Sequence, residues 1–480
     1  MEKYLFVALE NLKGADYGEA RFVRTTLQHI SVRNGKVESV SERVEEGIGV
    51  RAVVKGSVGF ASTNAMLLDE VVKTAKLALT YAKASYEALG KAKPFLSEPR
   101  HEGEYITPLE TDPFTVPVER KISLLMEVDE ILAKDPRIVL RTGDLHFRKV
   151  EKIFVNTEGS YLKQTIYLSG GGYTAYALVD GVLAHRSYPA HHGGNHLQAG
   201  WEFIEEMDLP AHAERIREEA LMFAKADTLK SEMETTLVLG THQMILQIHE
   251  SVGHPLELDR AIGYEASYAG TSFARPELLG KLRYGSPLMN IVADATLRRG
   301  MGTFGWDDEG VEAQKVPLIR EGILVGYLSS RDSAWAIGLE RSGGMARASG
   351  FNRMPMVRMT NVYLLPGEGS LEDILSEIRD GIYMDLNKSW SIDQRRLNFQ
   401  FSTEVAYRIR KGKLAEPLRN VIYYGITPEF WGSMYALAGK DEWKLWGLPH
   451  CGKGEPGQSM DTGHAASPAA FRNVRVGGSA

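Results

Sequence analysis

Strict alternation of side-chain character over residues 398–410 is the strongest constraint that this sequence places on its fold. In NFQFSTEVAYRIR every second residue is apolar or a threonine, and the intervening positions are mainly polar. A β-strand points successive side chains to opposite faces, so the segment is predicted to be a strand of a half-buried antiparallel sheet that turns at Lys411-Gly412. The face predicted to be buried consists of Phe399, Phe401, Thr403, Val405, Tyr407 and Ile409.

Turn and helix signals extend this interpretation to the N-terminal part of the chain. Asn34-Gly35, between LQHISVR and KVESVSE, and Asp180-Gly181, in YTAYALVDGVLAHR, are two-residue hairpin signals. Apolar residues recur with helical spacing at 65–91, and further helices are predicted at 118–133 and 212–226. The fold class is therefore predicted to be α+β.

The chain is predicted to fold as two parts. Residues 1–230 form an N-terminal α+β domain, and residues 231–480 form a C-terminal domain that is rich in antiparallel β-sheet and carries the candidate metal ligands described below. A proline-rich stretch near 93–117 is predicted to be a long exposed link. From Trp443 onwards the sequence is rich in glycine, which predicts a loop-like end.

Composition narrows the function classes. The net charge is −6, with both signs mixed along the chain, which disfavours nucleic acid or an anionic membrane as the main partner. A single cysteine excludes an intrachain disulfide and fits a reducing compartment. The N-terminal residues lack the layout of a signal peptide, and no window holds the roughly eighteen apolar residues of a membrane span, so a cytoplasmic location is expected.

The segment Glu234–Arg260, ETTLVLGTHQMILQIHESVGHPLELDR, is the most informative for function. TTLVLG has the composition of a strand that ends in a glycine turn, and Thr241 is predicted to cap the helix that follows. The apolar positions of that helix recur with helical spacing, so one face is predicted to be buried. These positions are Met244, Ile245, Ile248 and Val252.

The same helix carries the candidate metal ligands. His249 and Glu250 lie near its end, and His254 follows five residues after His249. Five residues on a regular α-helix turn a side chain by about 140°, which is too far for one ion. The sequence supplies a remedy, because Gly253 can end or bulge the helix and Pro255 disfavours the α region for the residue before it. His254 is then expected to fold back from the turn beyond the helix.

Two histidines are too few to hold a zinc ion. Zinc takes neutral imidazole and thiolate in a tetrahedral shell, and a catalytic site keeps one position for water, so a third protein ligand is required. The candidates are Cys451, Glu257 and Asp259. Cys451 offers the softest donor, although a lone cysteine is also a common small buried hydrophobe.

Other charged residues have weaker functional interpretations. Glu250, directly after the first histidine, fits a general base that activates water on a metal, with a solvated helix acid as the alternative. The acidic turn at 307–309 could bind a hard cation, but one turn rarely supplies enough oxygens, so solvated loop acids are expected. Arg358 could pair with a carboxylate or hydrogen-bond to a peptide backbone.

The loop SYPAHHGGNHLQAG provides a second group of histidines. It contains His191, His192 and His196, and Gly193 and Gly194 predict that it is flexible. No acid follows at a useful spacing. These histidines are therefore predicted to be solvated or to face substrate, rather than to bind a metal.

Taken together, these segments resemble the TldD side of the TldD/PmbA family of metallopeptidases, nearly from end to end. The N-terminal and central segments that carry the resemblance are RNGKVESV, GIGVRAVVKGSVGFAST and VNTEGS. The C-terminal ones are HESVGHPLELD, DDEG at 307–310, PMVRMTN at 355–361, FQFS at 399–402 and CGKGEPGQ at 451–458. One departure lies in WSIDQRRLNFQFS, which lacks the glycine-rich lead-in common before the final strand pair.

The resemblance implies a function and a site. It implies the catalytic subunit, with one Zn²⁺ per chain held by His249, His254 and Cys451 and with Glu250 as the base. It also implies a dimer, with a PmbA/TldE-like paralogue or with itself, whose cavity admits unfolded or short intracellular peptides. The alternative is a non-catalytic regulatory or assembly subunit of the same fold.

Overall fold

Long hairpin strands form the sheet of the N-terminal part of the chain, which a computed structural model describes for residues 1–191 and 193–478. The strands are β1 (Tyr17–Arg33), β2 (Lys36–Val54), β3 (Ser57–Thr63), β4 (Glu102–Ile106), β5 (Ile138–Asn156), β6 (Tyr161–Val179), β7 (Val182–Tyr188) and β8 (Asn195–Leu197). Their order across the sheet is β3-β2-β1-β5-β6-β4, and β7 and β8 also pair with β6.

The predicted hairpins are present. Asn34-Gly35 joins β1 to β2, and Asp180-Gly181 joins β6 to β7. Asn34 and Gly35 both have positive φ, 46° and 72°, which is the geometry that a two-residue hairpin turn requires. The local turn chemistry therefore sets the pairing of these strands.

Helices cover the ends of this sheet. They are α1 (Glu2–Glu10), α2 (Leu68–Leu89), α3 (Val118–Leu132), α4 (Glu202–Met207) and α5 (Leu209–Lys225). The predicted helices correspond to α2, α3 and α5, with limits that differ by at most three residues. Leu5 and Val71 belong to one apolar cluster with Val50, whereas Leu125 and Ile216 belong to a second cluster. None of the helices in the described residues is both long and apolar enough to cross a lipid bilayer.

The proline-rich stretch near 93–117 is more ordered and less exposed than predicted. It contributes β4, which pairs in parallel with β6, and the side chains of Glu98 and Thr107 are buried. Leu96 N also donates to Arg331 O at 2.9 Å. The stretch therefore packs along the sheet and against the C-terminal part, because its backbone groups find partners there.

The C-terminal part is built on two larger sheets within the described residues. One has the strand order β12-β11-β10-β15-β22-β21, and the other has the order β16-β9-β23-β19-β17-β18, with β20 paired to β23. Most of their pairings are antiparallel; β9 with β16 and β15 with β22 are parallel. The predicted α+β class, with a C-terminal part rich in antiparallel sheet, is confirmed.

The strands and helices of the C-terminal part have the following bounds. The strands are β9 (Met233–Leu239), β10 (Ile291–Asp294), β11 (Lys315–Arg320), β12 (Ile323–Leu324), β13 (Ala346–Arg347), β14 (Met356–Val357), β15 (Asn361–Leu364), β16 (Asp380–Ile392), β17 (Asn398–Arg410), β18 (Lys413–Leu418), β19 (Val421–Ile426), β20 (Met434–Leu437), β21 (Lys444–Lys453), β22 (Gln458–Ala466) and β23 (Ala469–Gly478). The helices are α6 (Thr241–Ile248), α7 (Leu258–Ala261), α8 (Leu371–Ser376) and α9 (Thr427–Gly432).

The predicted loop-like end is wrong. Residues 444–478 form the three strands β21, β22 and β23. All nine residues of β22 except Ser459 are buried, so neither face of this strand is exposed to solvent. The sequence of a strand buried on both faces lacks the alternation of apolar and polar residues by which a strand is predicted. The glycines in this segment further favoured the prediction of a loop.

The acidic turn at 307–309 is buried rather than solvated, which corrects a second prediction. Glu309 accepts from Arg51 Nη1 at 2.7 Å and from Arg331 N at 2.7 Å. Asp308 accepts from Lys152 Nζ at 2.9 Å. Because Arg51 and Lys152 belong to the N-terminal sheet, these ion pairs join that sheet to the C-terminal part.

We predict that Glu309→Gln destabilises the folded chain by about 3 kcal/mol, because it removes a buried charge that faces Arg51. The midpoint of urea unfolding should fall, as measured by circular dichroism. Glu38→Gln is the matched control, since the Arg33–Glu38 pair is about half exposed, 53% and 49%, and such pairs contribute roughly 0–1 kcal/mol. Equal midpoints for the two variants would contradict the prediction.

Candidate metal centre

A π-helical turn brings the two candidate histidines together. α6 continues as a π-helical turn over His249–Gly253, and His254 N donates to His249 O, five residues earlier. His254 keeps an α-region backbone, φ −59° and ψ −43°, so the prediction that Pro255 displaces it from that region is wrong. The widened turn instead places the two rings on one side, with centroids 4.8 Å apart.

Gly253 is needed for close packing at this turn. A Cβ at this position would lie 2.0 Å from the sulfur of Met359. A side chain at position 253 would therefore require the buried Met359 side chain or the π-helical turn to move. The sequence correctly indicated a bulge here, but the bulge leaves the chain helical.

A distant carboxylate, rather than Thr241, caps the start of α6. Asp385 Oδ1, from β16, accepts from the backbone N–H groups of His242 and Gln243, both at 3.1 Å. Thr241 Oγ1 accepts from Trp446 Nε1 at 3.2 Å. The free N–H groups at the helix start are thus satisfied by a tertiary contact, which local sequence cannot indicate.

His464 fixes the orientation of the first candidate ligand. His464 Nδ1 lies 2.8 Å from Val362 O, and its Nε2 lies 2.8 Å from His249 Nδ1. A carbonyl only accepts, so His464 donates from Nδ1 and accepts at Nε2, and burial lowers its pKa well below the ordinary value. His249 therefore donates from Nδ1, and its Nε2 keeps a free lone pair.

Glu257 plays the same role for the second histidine. Its Oε2 lies 2.9 Å from His254 Nδ1, which leaves His254 Nε2 free to bind. Burial raises the pKa of Glu257, but Lys453 and His254 outweigh burial and hold it well below the ordinary value. A carboxylate behind a metal-ligating imidazole is a common supporting arrangement.

Cys451 lies at the free nitrogen of His254. It is buried on β21, with Sγ 3.6 Å from His254 Nε2. Burial raises the pKa of the Cys451 thiol, but Arg358 and His254 lower it more, so the pKa falls below the ordinary value. The thiolate, which is the form that binds metals, therefore forms more readily here than in an ordinary cysteine.

His249, His254 and Cys451, which we call the metal triad, fit a zinc ion. Their donor atoms all lie within 4.8 Å of one another. Around a tetrahedral zinc, with Zn–S of about 2.3 Å and Zn–N of about 2.05 Å, a sulfur and a nitrogen are about 3.6 Å apart. The distance from Cys451 Sγ to His254 Nε2 has this value.

The other two candidates for a third ligand lie elsewhere. Glu257 sits behind His254, and Asp259 accepts from Lys453 Nζ at 2.6 Å. The guanidinium of Arg358 donates to Cys451 O and, at 3.3 Å, to Gln458 O, and it lies 4.0 Å from Glu257. These residues surround the metal triad and hold it in place.

Glu250 is buried beside the metal triad and paired with Arg396. Arg396 Nη1 donates to Glu250 Oε2. Burial raises the pKa of Glu250, but His254 and Arg396 lower it further than burial raises it. The carboxylate is thus ionised and oriented. Arg396 belongs to the WSIDQRRLNFQFS segment, and neither it nor His464 was identified from sequence, because no spacing relates them to His249.

His254 of the metal triad lines a cavity of about 240 Å³, together with Arg396 and Lys453. A larger cavity of about 820 Å³ lies between the N-terminal sheet and the C-terminal part. In the described residues its lining includes His450, the neighbour of Cys451, but none of the metal triad. Of the two cavities, the smaller one is therefore in contact with the triad, through His254.

Two of the three loop histidines, His191 and His196, lie in the described residues. His192 lies outside the described residues. His196 is 4% exposed, so it is not solvated, but it does line the larger cavity. His191 Nδ1 lies 3.4 Å from Glu404 of β17, an acid that sequence spacing could not reveal.

Family models match the chain in three consecutive segments. They are described as the PmbA/TldA metallopeptidase domain 1, central domain and C-terminal domain, and they match residues 18–82, 111–226 and 233–478. The boundary that we predicted between residues 230 and 231 falls between the second and third segments.

Curated proteins similar to this chain are named metalloproteases. A metalloprotease TldD homolog of Buchnera aphidicola is 30% identical, over 96% of this chain and 93% of that protein. One of Haemophilus influenzae is 28% identical, over 97% and 94%. A zinc metalloprotease TldD homolog of Saccharolobus solfataricus is 22% identical, over 89% of both.

Solved structures share the fold. TldE from Thermococcus kodakarensis has a TM-score of 0.71 and 16% identity, and the match covers all of both chains. A Thermotoga maritima crystal structure has a TM-score of 0.75 and 16% identity, over 99% of this chain and 98% of that one.

Proposed function

Given that the chain belongs to the PmbA/TldD metallopeptidase family, we propose that it is a zinc peptidase of the HExxxH type that hydrolyses unfolded or short intracellular peptides. One Zn²⁺ per chain is held by His249 Nε2, His254 Nε2 and Cys451 Sγ. The observation that carries this proposal is the convergence of two free imidazole nitrogens and a favoured thiolate. The donor set suits zinc, since imidazole and thiolate are its usual protein ligands.

Zinc supplies Lewis-acid chemistry at this position, which acidifies water and polarises a peptide carbonyl. Glu250 takes a proton from the attacking water at its carboxylate and delivers it to the nitrogen of the leaving amine. Arg396 keeps that carboxylate ionised and oriented between turnovers. His464 and Glu257 hold the two imidazoles with their Nε2 atoms directed at one point.

The family also suggests the assembly and the location. We propose that the chain acts in a dimer, with itself or with a PmbA/TldE-like paralogue, whose interior limits substrates to unfolded or short peptides in the cytoplasm. Support comes from the similarity to TldE over the whole chain. The single cysteine fits a reducing compartment. Neither nucleic acid nor a membrane is a proposed partner.

A non-catalytic regulatory or assembly subunit of the same fold is the competing function. Such a subunit has no need for a buried cysteine of lowered pKa, two oriented imidazoles and an ionised carboxylate in one place. The complete set therefore supports a catalyst.

We predict that Cys451→Ala lowers the zinc content from about one per chain to near zero, because two imidazoles alone hold the ion weakly. Metal analysis of untagged protein measures this, and circular dichroism checks that the variant is folded. His101→Ala is the control, since His101 pairs with Glu98, outside the metal triad. Full zinc retention in folded Cys451→Ala would assign the third ligand to Glu257 or Asp259.

We predict that Glu250→Gln retains zinc and assembly but slows peptide hydrolysis by roughly 10²–10⁴-fold, the usual loss when acid–base catalysis is removed. Glutamine keeps the size and can still accept from Arg396. Turnover and zinc content are measured on the same preparation, beside the exposed control Glu429→Gln. A zinc-loaded Glu250→Gln variant with wild-type turnover would show that Glu250 is not the base.

We predict a dimer in sedimentation velocity, for the purified chain alone or after mixing with a paralogue that lacks the His-Glu motif. Peptide hydrolysis should follow the dimer fraction, and folded globular proteins should resist cleavage. An active monomer that degrades folded proteins would contradict both the assembly and the substrate class.

A further inference from the structure

A row of three histidines crosses the N-terminal sheet away from the metal triad. His29 of β1 pairs directly with His146 of β5, His146 pairs with Gly170 of β6, and Gly170 pairs with His196 of β8. Directly paired residues point to the same face of a sheet. All three rings therefore lie on one face, and we call them the histidine row.

Gly170 allows the ring of His196 to approach the ring of His146. A Cβ at Gly170 would lie 2.2 Å from a ring carbon of His196, so any other residue would push this ring away. His196 consequently leans across β6, and its ring centroid lies 5.7 Å from that of His146. His29 and His146 stack with their centroids 4.4 Å apart.

Asp144 adds a carboxylate to the row. It precedes His146 by two residues on β5 and so points to the same face. Its Oδ1 lies 2.9 Å from His29 Nε2. One donor atom from each of His29, Asp144 and His146 lies within 4.8 Å of the other two, and these three residues form the candidate site.

The candidate site borders the cavity of about 820 Å³, whose lining includes His29, His146, His196 and His450. His196 Nδ1 is buried and has no hydrogen-bond partner among the described residues. Burial, with smaller contributions from His29, His450 and Arg148, lowers the pKa of His146 to about 3. His146 is therefore neutral near pH 7 and keeps a lone pair for a ligand.

We propose that His29, Asp144 and His146 bind a second divalent transition-metal ion on the wall of the larger cavity. Two imidazoles and one carboxylate suit zinc, cobalt, nickel or iron(II), and three ligands from one face leave the remaining positions open to the cavity. Donors around such an ion lie about 3–3.4 Å apart. The donor atoms of the three residues lie within 4.8 Å of one another. Rotation about χ1 and χ2 of the half-exposed His29 and Asp144 brings these atoms to the shorter spacing that the ion requires.

The test uses untagged chain loaded with one equivalent of Zn²⁺, which fills the metal triad because a thiolate ligand makes it the tighter zinc site, and titrates it with Co²⁺ by calorimetry. We expect one additional Co²⁺ per chain. His29→Gln, Asp144→Asn and His146→Gln should each weaken this binding at least tenfold. His212→Gln is the control, because His212 lies on α5, is half-buried, and does not line the cavity. Its affinity for Co²⁺ should match that of the wild type.

The outcome separates this site from the metal triad. The visible spectrum of the added Co²⁺ should lack a thiolate-to-cobalt charge-transfer band, and Cys451→Ala should retain the added ion. Circular dichroism confirms folding, and Asp144→Asn, half-exposed and nearly isosteric, serves if a histidine variant is unstable. No additional Co²⁺ in the wild type, or undiminished binding in the folded variants, overturns the proposal and leaves the peptidase function unaffected.

Discussion

The hydrogen bond from His254 N to His249 O is the interaction on which the candidate metal centre depends. It spans five residues and widens one turn of the helix, so that two side chains on different faces of an α-helix come to share one face. Pro255 contributes by lacking an N–H group, which frees Ser251 O from its usual helical partner. Tyr284 Oη donates to that oxygen at 2.5 Å, so the carbonyl of Ser251 still has a hydrogen-bond partner.

Buried charges are balanced around this turn by cations from other elements. Glu257 faces Arg358 and Lys453, and Glu250 faces Arg396. Such groups are costly to bury alone, and pairing with hydrogen bonds offsets this cost. Arg358, one of these cations, also lowers the pKa of the Cys451 thiol against the effect of burial, which eases formation of the thiolate that binds a metal. Charge balance and ligand chemistry are therefore one property of the site.

Local signals predicted the fold better than they predicted the site. Hairpin turns such as Asn34-Gly35 and the alternation over 398–410 act through neighbouring residues, so sequence suffices to identify them. The burial of β22 on both faces depends on contacts with residues distant in the sequence. The same holds for the burial of Glu309, which pairs with Arg51. In the site, His249, Glu250, His254 and Cys451 came from motif and resemblance. Their supports, such as His464 and Arg396, are set by strand pairing and remained unidentified.

The position of β21 explains why the two histidine clusters are near one another yet separate. The pairing of β21 with β22 is irregular between Leu448 and Cys451. His450 lies within this irregular stretch, and Cys451 resumes the pairing, opposite Met460. Cys451 is buried and faces His254, whereas its neighbour His450 is exposed to the larger cavity. One strand thus forms the wall between the metal triad and the histidine row. Because Arg358 anchors the backbone oxygen of Cys451, this wall is held in the register that keeps the two sets of donors apart.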